Sequence, residues 1–531
     1  MLTTTSSHRN DYPAVGARLK QFYHQWTQWV TDQWVLDIVK AGYKIQFFSL
    51  PPLPHFKITP WPKDDGQRQA MQQGVQALLQ KGAIIPVPGH QKGRGFYSVL
   101  FLVPKPNGTF RPVLNLRDLN KFLSVEAFRM ISLQSIAPLV GLNDFLLTLD
   151  LQDAYFHVPV HPSSQLYLRF ALGTQHFQFQ VLPFGLATSP RVFTKVLAPV
   201  VSYLHLLGVS LFPYLDDWLL SASSFSKAQV MLELVLKTLG SLGFLVNHEK
   251  SSLLPEQEKL FIGARINTSV GRMFLPSPKI ATIHQNITLL LTLQQASARF
   301  WLKIQGLLAA TTATVSWARF HLKPIVNHIL DHWSPASQQY HALIPVTPEI
   351  VLRLSWWLDR NNLIQGVPLQ KPIPLVLMTD ASLWGWGATL YVMERNAPWS
   401  EDQRGHSSNW RELTAVLMAL HAFAPQLKGS NLSIQTDNMV TRCYLNRQGG
   451  TRCRDLNLVA DQIFAWAEAH LLSLGAVYIQ GRLNIHADSL SRNLPSSVMF
   501  HLSNREFARI CALWGDPWID MFASPQNAML P

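Results

Sequence analysis

The sequence predicts two folded units, an α+β unit of mixed strands and helices followed by a compact α/β domain. Three observations lead to this prediction. The chain has 531 residues, which is longer than one ordinary domain. Between residues 97 and 265, short apolar strand patterns enclose acidic residues, with helical stretches between them. Beyond residue 374, strand and helix patterns alternate.

Composition narrows the class of protein and the kind of partner. Hydrophobic residues make up 47% of the chain and charged residues 15%, which suits a globular protein with sizeable cores. The formal net charge is +13 and the pI is about 9.6. A basic surface with seventeen tryptophans suits a polyanionic partner, because phosphates attract Lys and Arg and bases stack on aromatic rings. A merely basic globular protein would have the same charge.

The three cysteines, Cys443, Cys453 and Cys511, form no CxxC pair, so the sequence predicts neither a disulfide framework nor a zinc site. This favours a reducing, intracellular compartment. The N-terminus is polar and lacks the apolar core of a secretion signal. The longest apolar stretch, about Val196 to Phe212, contains Pro199 and is predicted to be buried core rather than a membrane span.

The first half of the chain begins with a Trp-rich part that leads into a Pro-rich segment near Pro51–Pro54, typical of an extended connector. Helical spacing then runs from residue 67 to Gly82, where the glycine predicts the end of the helix. Two strand patterns, Tyr97–Val103 and Phe110–Leu116, flank a turn at Pro106–Gly108. An Asn-Gly turn between two such patterns predicts a β-hairpin.

The second half begins with residues 278–335, which have mainly helical spacing, and residues 366–374 form a candidate linker. Beyond the linker, strands and helices alternate, which indicates a compact α/β domain. The predicted strands are 375–379, 390–393 and 432–436, and the predicted helices are 411–423 and 456–471.

Two adjacent carboxylates, Asp216 and Asp217, interrupt the apolar run from Val209 to Leu220. Ionised groups inside a buried strand cost free energy unless something pairs with them. A turn between two short strands would remove that cost if the carboxylates held divalent cations, whose preferred ligands are carboxylate oxygens. Asp150 follows another apolar strand pattern, Phe145–Leu149. If this strand lies next to the hairpin in one sheet, Asp150 joins Asp216 and Asp217 in one cluster. A solvated turn is the alternative for an isolated Asp-Asp pair.

Four further acidic residues occupy the ends of predicted elements in the last third of the chain. Asp380 ends a strand, Glu412 opens a helix, Asp437 ends another strand, and Asp488 lies in a helical stretch. This order resembles the ribonuclease H fold, in which four carboxylates hold two metal ions that activate water and stabilise the leaving 3′ oxygen. The alternative is four unrelated acids at turns and helix ends.

The first acidic group belongs to a series of motifs that resembles the reverse transcriptases of retroelements. Five motifs in this order are very hard to obtain by chance. In chain order they are Lys105 with Asn107-Gly108 and Arg111–Asn120 (the fingers hairpin), Thr148–Phe156 (motif A), Leu182–Pro190 (motif B), Tyr214–Asp217 (motif C), and Leu242–Asn247 with Lys250 (motif D). The resemblance implies that Asp150 and Asp217 are metal ligands, with Asp216 in the same cluster and the Leu151 carbonyl assisting.

The resemblance also implies a nucleotide site. Lys105 and Arg111 would hold the triphosphate of the incoming nucleotide, and Asp153 and Ala154 would line the site. Tyr155 would be a steric gate whose ring leaves no room for a 2′-OH and so selects deoxynucleotides. The alternatives are two solvated hairpin charges and an ordinary core tyrosine.

Motifs B and D contribute two more residues to that site. Gly185 would allow the backbone to approach the template or nucleotide closely. Lys250 could protonate the departing pyrophosphate, with a solvated lysine as the alternative. Phe184 stands where retroviral enzymes usually have Gln in motif B, a substitution common in other retroelements. Retroviral ribonucleases H also have a loop His before the last Asp, and Val477–Asn484 contains none.

Several segments narrow the resemblance to the reverse transcriptase–ribonuclease H of DIRS-type retrotransposons, from about residue 30 onward. They are Tyr43–Phe48, Gly95–Ser98, Trp384–Gly387, Tyr444–Arg452 and Trp514–Ser524. Such elements encode a tyrosine recombinase in place of a DDE integrase and lack an aspartic protease. Neither a protease motif nor room for a recombinase is found here, so the chain is expected to be one fragment or one reading frame of the element.

The implied architecture is an α+β right-hand polymerase with fingers, palm and thumb, followed by an α/β ribonuclease H-like domain. The expected segments are 1–65 (N-terminal extension and Pro-rich connector), 66–277 (fingers and palm), 278–370 (helical thumb and connection), 371–497 (ribonuclease H-like) and 498–531 (C-terminal tail). The expected cofactor is Mg²⁺, with Mn²⁺ as a substitute, at two ions per active site.

The resemblance implies an enzyme for RNA- and DNA-directed DNA synthesis with ribonuclease H activity. Its expected partners are an RNA template, a DNA primer, the RNA/DNA hybrid and dNTPs, together with a tyrosine recombinase and a Gag-like protein of the same element, and no membrane. The expected location is the cytoplasm or the nucleus. Two alternatives belong to other classes, a non-catalytic nucleic-acid-binding relic and a structural subunit that supports a separate polymerase.

Overall fold

The computed structural model describes residues 14–104, 108, 110–370, 373–450, 453–493 and 504–518. Lys105 and the turn residues Pro106 and Asn107 lie outside these residues. The chain forms two compact units: unit 1 is Met1–Ala281, Ala313–Val315 and Leu363–Gln370, and unit 2 is Thr282–Thr312, Ser316–Asn362 and Lys371–Pro531. The five domain ranges expected from the sequence, from the N-terminal extension to the C-terminal tail, remain predictions.

Unit 1 contains most of the strands and two cores. Its strands are β1 (Ile58–Thr59), β2 (Ile84–Pro86), β3 (Leu100–Pro104), β4 (Phe110–Leu114), β5 (Phe145–Asp150), β6 (Arg169–Leu172), β7 (Gln175–Phe179), β8 (Leu211–Tyr214), β9 (Asp217–Ala222), β10 (Ser252–Glu256), β11 (Glu258–Phe261), β12 (Ala264–Asn267), β13 (Arg272–Phe274) and β16 (Val367–Pro368). Its helices are α1 (Tyr23–Trp29), α2 (Gln33–Ala41), α3 (Asp65–Gln80), α4 (Arg117–Asn120), α5 (Leu133–Ile136), α6 (Pro162–Gln165), α7 (Ser189–Leu206) and α8 (Phe225–Ser241).

Three sheets and a ribbon organise unit 1. The central sheet has the order β10-β5-β9-β8, and a second sheet has the order β1-β6-β7-β2. A third sheet, β11-β12-β13-β16, takes Val367–Pro368 from the predicted linker, so the start of that segment is a strand. The predicted hairpin is present as the two-stranded ribbon β3-β4, with Leu100 opposite Leu114.

The N-terminal part belongs to the core of unit 1. Leu19, Trp26 and Val35 are fully buried in the same apolar cluster as the strands of the central sheet. Asp32 caps the N-terminus of helix α2, because its carboxylate accepts hydrogen bonds from the amides of Trp34 and Val35. Of the N-terminal tryptophans, Trp26 is a core residue, like Trp218, Trp301 and Trp357, whereas Trp29 is exposed.

Unit 2 combines a helical part with a five-stranded sheet. Its helices are α9 (Ser277–Leu291, whose first residues belong to unit 1), α10 (Ala298–Ala309), α11 (Ala318–His332), α12 (Pro348–Ser355), α13 (Arg360–Ile364, whose last two residues belong to unit 1), α14 (Glu401–Arg404), α15 (Ser408–Ala422), α16 (Ala424–Leu427), α17 (Met439–Arg447), α18 (Arg454–His470), α19 (Ile485–Arg492) and α20 (Asn504–Trp514). Its strands are β14 (Gln295–Ser297), β15 (Leu343–Pro345), β17 (Leu375–Ala381), β18 (Gly385–Leu390), β19 (Met393–Pro398), β20 (Asn431–Thr436) and β21 (Ser473–Tyr478).

The main sheet of unit 2 has the order β19-β18-β17-β20-β21, with β17, β20 and β21 parallel. The predicted strand at 390–393 is wrong, because Tyr391 and Val392 form the turn between β18 and β19. Tyr391 has φ 55°, which a strand residue does not adopt. Most of the other predicted elements of this region, the helices in 278–335 included, are confirmed within a few residues.

Candidate active sites

The Asp-Asp pair lies at a tight hairpin turn, with Asp216 in the turn and Asp217 at the start of β9. Strands β8 and β9 pair Tyr214 with Asp217, so Leu215 and Asp216 form the two-residue turn. Leu215 has φ 55°, as such turns require at one or both positions. The fully buried Trp218 donates its indole N–H to the Leu215 carbonyl at 3.1 Å and fixes the turn on the core.

Asp150 lies directly beside this turn. In the antiparallel β5–β9 pair its Cα partner is Asp217, and the Leu151 amide donates to the Asp216 carbonyl at 2.9 Å. The loop after α8 encloses Asp150 from the other edge, since the Asn247 amide donates to the Asp150 carbonyl at 2.8 Å. Three acidic residues, from two neighbouring strands and the turn between β8 and β9, therefore lie at one end of the central sheet.

The charges of this group oppose one another. Burial raises the pKa of Asp150, although Lys250 favours its charged form. Loss of solvent around the turn, together with the nearby carboxylates of Asp216 and Asp150, raises the pKa of Asp217 to about 6, although part of the side chain remains exposed. A divalent cation would offset this repulsion, and carboxylate oxygens are the ligands that Mg²⁺ prefers, so the residues present fit a metal.

A cavity of about 590 Å³ opens beside the carboxylates. It brings together eight of the residues predicted for this centre: Arg111, Asp150, Leu151, Asp153, Ala154, Tyr155, Asp216 and Lys250. Lys250 lies with its Nζ 3.9 Å from Asp150 Oδ1. Asp217 and Gly185 are not among the residues that line the cavity. The sequence had suggested Gly185 for close backbone approach; its φ is 96°, and an added Cβ would lie 2.8 Å from the Leu114 carbonyl oxygen.

Tyr155 forms the aromatic floor of this cavity. It lies in a 3-10 helix, Ala154–His157, with its ring 5.2 Å from that of Phe184 and 5.5 Å from that of Phe193. Burial, Asp216 and Tyr214 raise its pKa to about 12, so the hydroxyl is neutral at physiological pH. The Arg111 guanidinium lies over the Phe184 ring, 5.2 Å from its centroid. This cation–π contact holds the cation at the cavity.

Sequence reasoning missed two residues near this centre. Lys81, at the end of α3, lines the cavity and pairs with Asp153 Oδ2 at 2.7 Å. His157 is fully buried: its Nδ1 lies 3.1 Å from the Ala154 carbonyl, and its Nε2 accepts the Leu245 amide at 3.0 Å. Burial lowers the His157 pKa to about 4, so the neutral ring ties motif A to the loop after α8. No local pattern could have indicated either residue, because both act through distant segments.

A second carboxylate group lies in unit 2. Asp380, Glu412 and Asp437 each place a carboxylate oxygen within 4.8 Å of the others. Asp380 is near the end of β17, Asp437 directly follows the parallel β20, and Glu412 is in the first turns of α15. Because the carboxyl ends of parallel neighbouring strands meet at one sheet edge, the two aspartates converge and α15 supplies the glutamate.

Glu412 is the most perturbed carboxyl group of this centre. Burial, together with Asp380 and Asp437, raises its pKa to about 9. Its Oε2 is buried without a hydrogen-bond partner. A buried, unpartnered oxygen among carboxylates is what a bound cation would satisfy, so this group also fits a divalent metal.

Asp488 is close to this group but outside it. Helix α19 packs on β18 at Gly387, where an added Cβ would lie 2.6 Å from Leu490 Cβ. The helix places the Ser491 hydroxyl 2.7 Å from Asp380 Oδ2, to which it donates. Asp488 itself pairs with Arg492 at 2.7 Å, one helical turn away. The structure thus joins three of the four predicted carboxylates.

The part of the chain that contains the first carboxylate group matches a known protein family. Residues 103–266 match the family model described as reverse transcriptase (RNA-dependent DNA polymerase). The chain therefore contains a reverse transcriptase domain, and this domain includes Asp150, Asp216 and Asp217.

Homologues of the chain are retroelement Pol polyproteins. It is 23% identical over 454 residues to the enzymatic polyprotein of carnation etched ring virus, covering 82% of this chain and 64% of that protein. It is 23% identical over 453 residues to the Pol polyprotein of transposon opus from Drosophila melanogaster, covering 82% of this chain and 43% of that protein. It is 29% identical over 240 residues to a Rous sarcoma virus Gag-Pol polyprotein, covering 43% and 14%. The chain spans less than two thirds of each polyprotein.

Solved structures confirm the fold. A foamy viral protease–reverse transcriptase in complex with double-stranded DNA has a TM-score of 0.52 at 18% identity, over 90% of this chain and 84% of that one. The foamy viral enzyme in complex with an RNA/DNA hybrid has a TM-score of 0.51 at 18% identity, over 94% of this chain and 66% of that one.

The helices of the described residues are all too short or too polar to span a membrane.

Proposed function

We propose that this chain is a reverse transcriptase with ribonuclease H activity: it extends a DNA primer on an RNA or DNA template and cleaves the RNA strand of the resulting hybrid. The observation that carries the proposal is the position of Asp150, Asp216 and Asp217 at one end of the central sheet, beside a cavity of about 590 Å³, in a reverse transcriptase domain. The carboxylate group around Glu412 supports the second activity.

We infer that Asp150, Asp216, Asp217 and the Leu151 carbonyl hold two Mg²⁺ ions, or Mn²⁺ in their place. The group of Asp380, Glu412 and Asp437, joined by Asp488, holds two more. When bound, such ions stabilise the attacking and leaving oxygens of phosphoryl transfer together. Arg492 binds only the Oδ1 atom of Asp488, so the Oδ2 atom is the one that would take part.

The remaining residues of the first centre bind and orient the nucleotide. Arg111 and Lys105 contact the triphosphate, and the Arg111 guanidinium is held by the Phe184 ring. The backbone at Asp153 and Ala154 lines the site, with Gly185 allowing close approach of template or nucleotide. Lys250 is placed on the side of Asp150, where its ammonium can give a proton to the departing pyrophosphate.

We propose further that the chain comes from a DIRS-type retrotransposon. The segments Trp384–Gly387 and Tyr444–Arg452 support this, and part of the latter lies outside the described residues. Its partners would be an RNA template, a DNA primer and the hybrid, with a tyrosine recombinase and a Gag-like protein of the same element. It would act in the cytoplasm or the nucleus.

The test is primer extension by the purified chain. A labelled DNA primer on a labelled RNA template, with dNTPs and Mg²⁺, is expected to give extended DNA and shortened RNA. EDTA is expected to stop both, because both centres depend on carboxylate-bound cations. Binding of the hybrid without either reaction would instead favour a nucleic-acid-binding relic or a structural subunit.

Tyr155→Val is expected to weaken the preference for dNTPs over rNTPs. The ring fills the space where a 2′-OH would lie, and overpacking of one group costs about 1–3 kcal/mol, so selectivity should fall about 5- to 150-fold. Steady-state kcat/KM for dTTP and rUTP on poly(rA) measures the ratio. Tyr155→Phe keeps the ring and should keep the ratio of the two kcat/KM values. Wild-type selectivity in Tyr155→Val would show that Tyr155 does not select the sugar and only packs in the core.

The two centres are expected to differ in pH dependence. A carboxyl group must lose its proton to bind a cation, so a raised pKa moves metal binding to higher pH. Mg²⁺ affinity at the first centre should rise to about pH 6, the pKa of Asp217, and then level off. At the second centre it should keep rising to about pH 9, the pKa of Glu412. Calorimetric titration of Mg²⁺ in buffers of different ionisation enthalpy measures the protons released on binding. The variants Asp217→Asn and Glu412→Gln separate the contributions of the two centres. Release of equal numbers of protons by the two centres at pH 7.5 would contradict this prediction.

A further inference from the structure

The N-terminal segment lies against three parts of the polymerase centre. Residues 14–29, here called the N-terminal clamp, contact the end of α3, motif A and the loop after α8, all within unit 1. The sequence placed these residues in an extension outside the polymerase motifs.

The contact with α3 leaves no room for a side chain. The Gly16 amide donates to the Lys81 carbonyl at 2.7 Å. A Cβ added at Gly16 would lie 2.7 Å from the Lys81 carbonyl oxygen and would overlap the Gly82 carbonyl. Only glycine lets the clamp approach the backbone of Lys81 so closely.

The other contacts fix motif A and the loop after α8. The Ala17 amide donates to the Phe156 carbonyl at 2.8 Å, in the 3-10 helix that carries Tyr155. The buried Trp26 donates its indole N–H to the Leu242 carbonyl at 3.0 Å. The residues that follow, Val246–Lys250, line the nucleotide cavity.

Lys81 connects the clamp to the cavity. Its backbone is held by Gly16, and its ammonium pairs with Asp153 at 2.7 Å. Asp153 has φ 46°, a left-handed conformation that Asp tolerates better than most residues with side chains but that still costs free energy. The ion pair supplies support for the turn Gln152–Ala154, whose residues line the cavity.

We propose that the N-terminal clamp, through Lys81, positions the nucleotide-binding turn at Asp153. Lys81 is a positioning residue for the incoming nucleoside triphosphate, and Gly16 sets the place of Lys81. The inference rests on the proposed polymerase activity for its kinetic consequence. Its structural consequence, that the clamp orders residues 151–158, does not depend on that activity.

Kinetics of the full chain on poly(rA)·oligo(dT) test the first consequence. Lys81→Gln and Gly16→Ala should each raise KM for dTTP about tenfold, the loss expected for a charge-assisted contact, while kcat changes by less than about threefold. Lys81→Arg can still pair with Asp153 and should restore KM. Gly89→Ala is the matched control, because Gly89 is exposed and an added Cβ there meets nothing within 4 Å.

Hydrogen–deuterium exchange of the same variants tests the second consequence. Gly16→Ala should speed exchange in peptides covering 79–84 and 151–158, and Gly89→Ala should not. Equal exchange in the two glycine variants, or an unchanged KM in Lys81→Gln, would overturn the proposal. If the wild type fails to extend primers, the proposed activity fails, and the exchange comparison still decides the role of the clamp. If Gly16→Ala does not fold, Lys81→Gln decides, because that side chain is 41% exposed.

Discussion

The double substitution Asp216→Asn/Asp217→Asn should abolish DNA synthesis while leaving cleavage of the hybrid's RNA strand intact. The two side chains lie beside Asp150 at the end of the central sheet, and amides replace carboxylates poorly as ligands of a hard cation. Loss of the cations removes several kcal/mol of transition-state stabilisation, so extension should fall at least about a thousandfold. Primer extension and RNA cleavage by the same preparation measure the two activities.

The chain offers a matched control, because Asp64 and Asp65 form a second adjacent pair in unit 1. Asp64 caps helix α3 by accepting the Gln67 amide, and Asn caps a helix about as well as Asp. Asp64→Asn/Asp65→Asn should therefore keep full extension. Extension by the Asp216/Asp217 variant at more than a few per cent of wild type would show that this hairpin does not hold the catalytic cations.

Glu412→Gln should abolish cleavage of the RNA strand and also raise the stability of the metal-free protein. Folding raises the pKa of this carboxyl from 4.5 to about 9, so the ionised group opposes folding above pH 4.5, increasingly up to pH 9. A neutral amide removes an opposing contribution of about 3 kcal/mol at pH 7. The amide can also donate to the neighbouring carboxylates of Asp380 and Asp437.

Thermal unfolding in EDTA measures the gain, expected to be several degrees at pH 7 and absent near pH 4, where the carboxyl is protonated in both states. Glu394→Gln, at an exposed position of β19, should change neither stability nor cleavage. A Glu412→Gln protein no more stable than wild type at pH 7 would mean that the carboxyl is not held at a raised pKa. Retained cleavage would place the nuclease chemistry elsewhere.

The sequence alone determined the elements that carry the carboxylates. Apolar periodicity is a local property, so strands ending at Asp150 and near Asp380 and a helix containing Glu412 could be predicted from nearby residues. The hairpin at Asp216 and Asp217 followed from the cost of burying adjacent charges. The strand wrongly predicted at 390–393 shows the limit, because its apolar residues form a turn that only the pairing of β18 with β19 defines.

The tertiary structure alone decided which distant residues support the centres. Lys81 meets Asp153, and Gly16 meets Lys81, through packing of segments far apart in the chain. Asp488 has the predicted helical setting, yet it lies outside the group of the other three carboxylates and pairs with Arg492. Periodicity specifies which face of an element is buried but not which partner covers that face. The residues proposed for catalysis could therefore be found from local motifs, whereas their positioning depends on contacts that form only when the chain has folded.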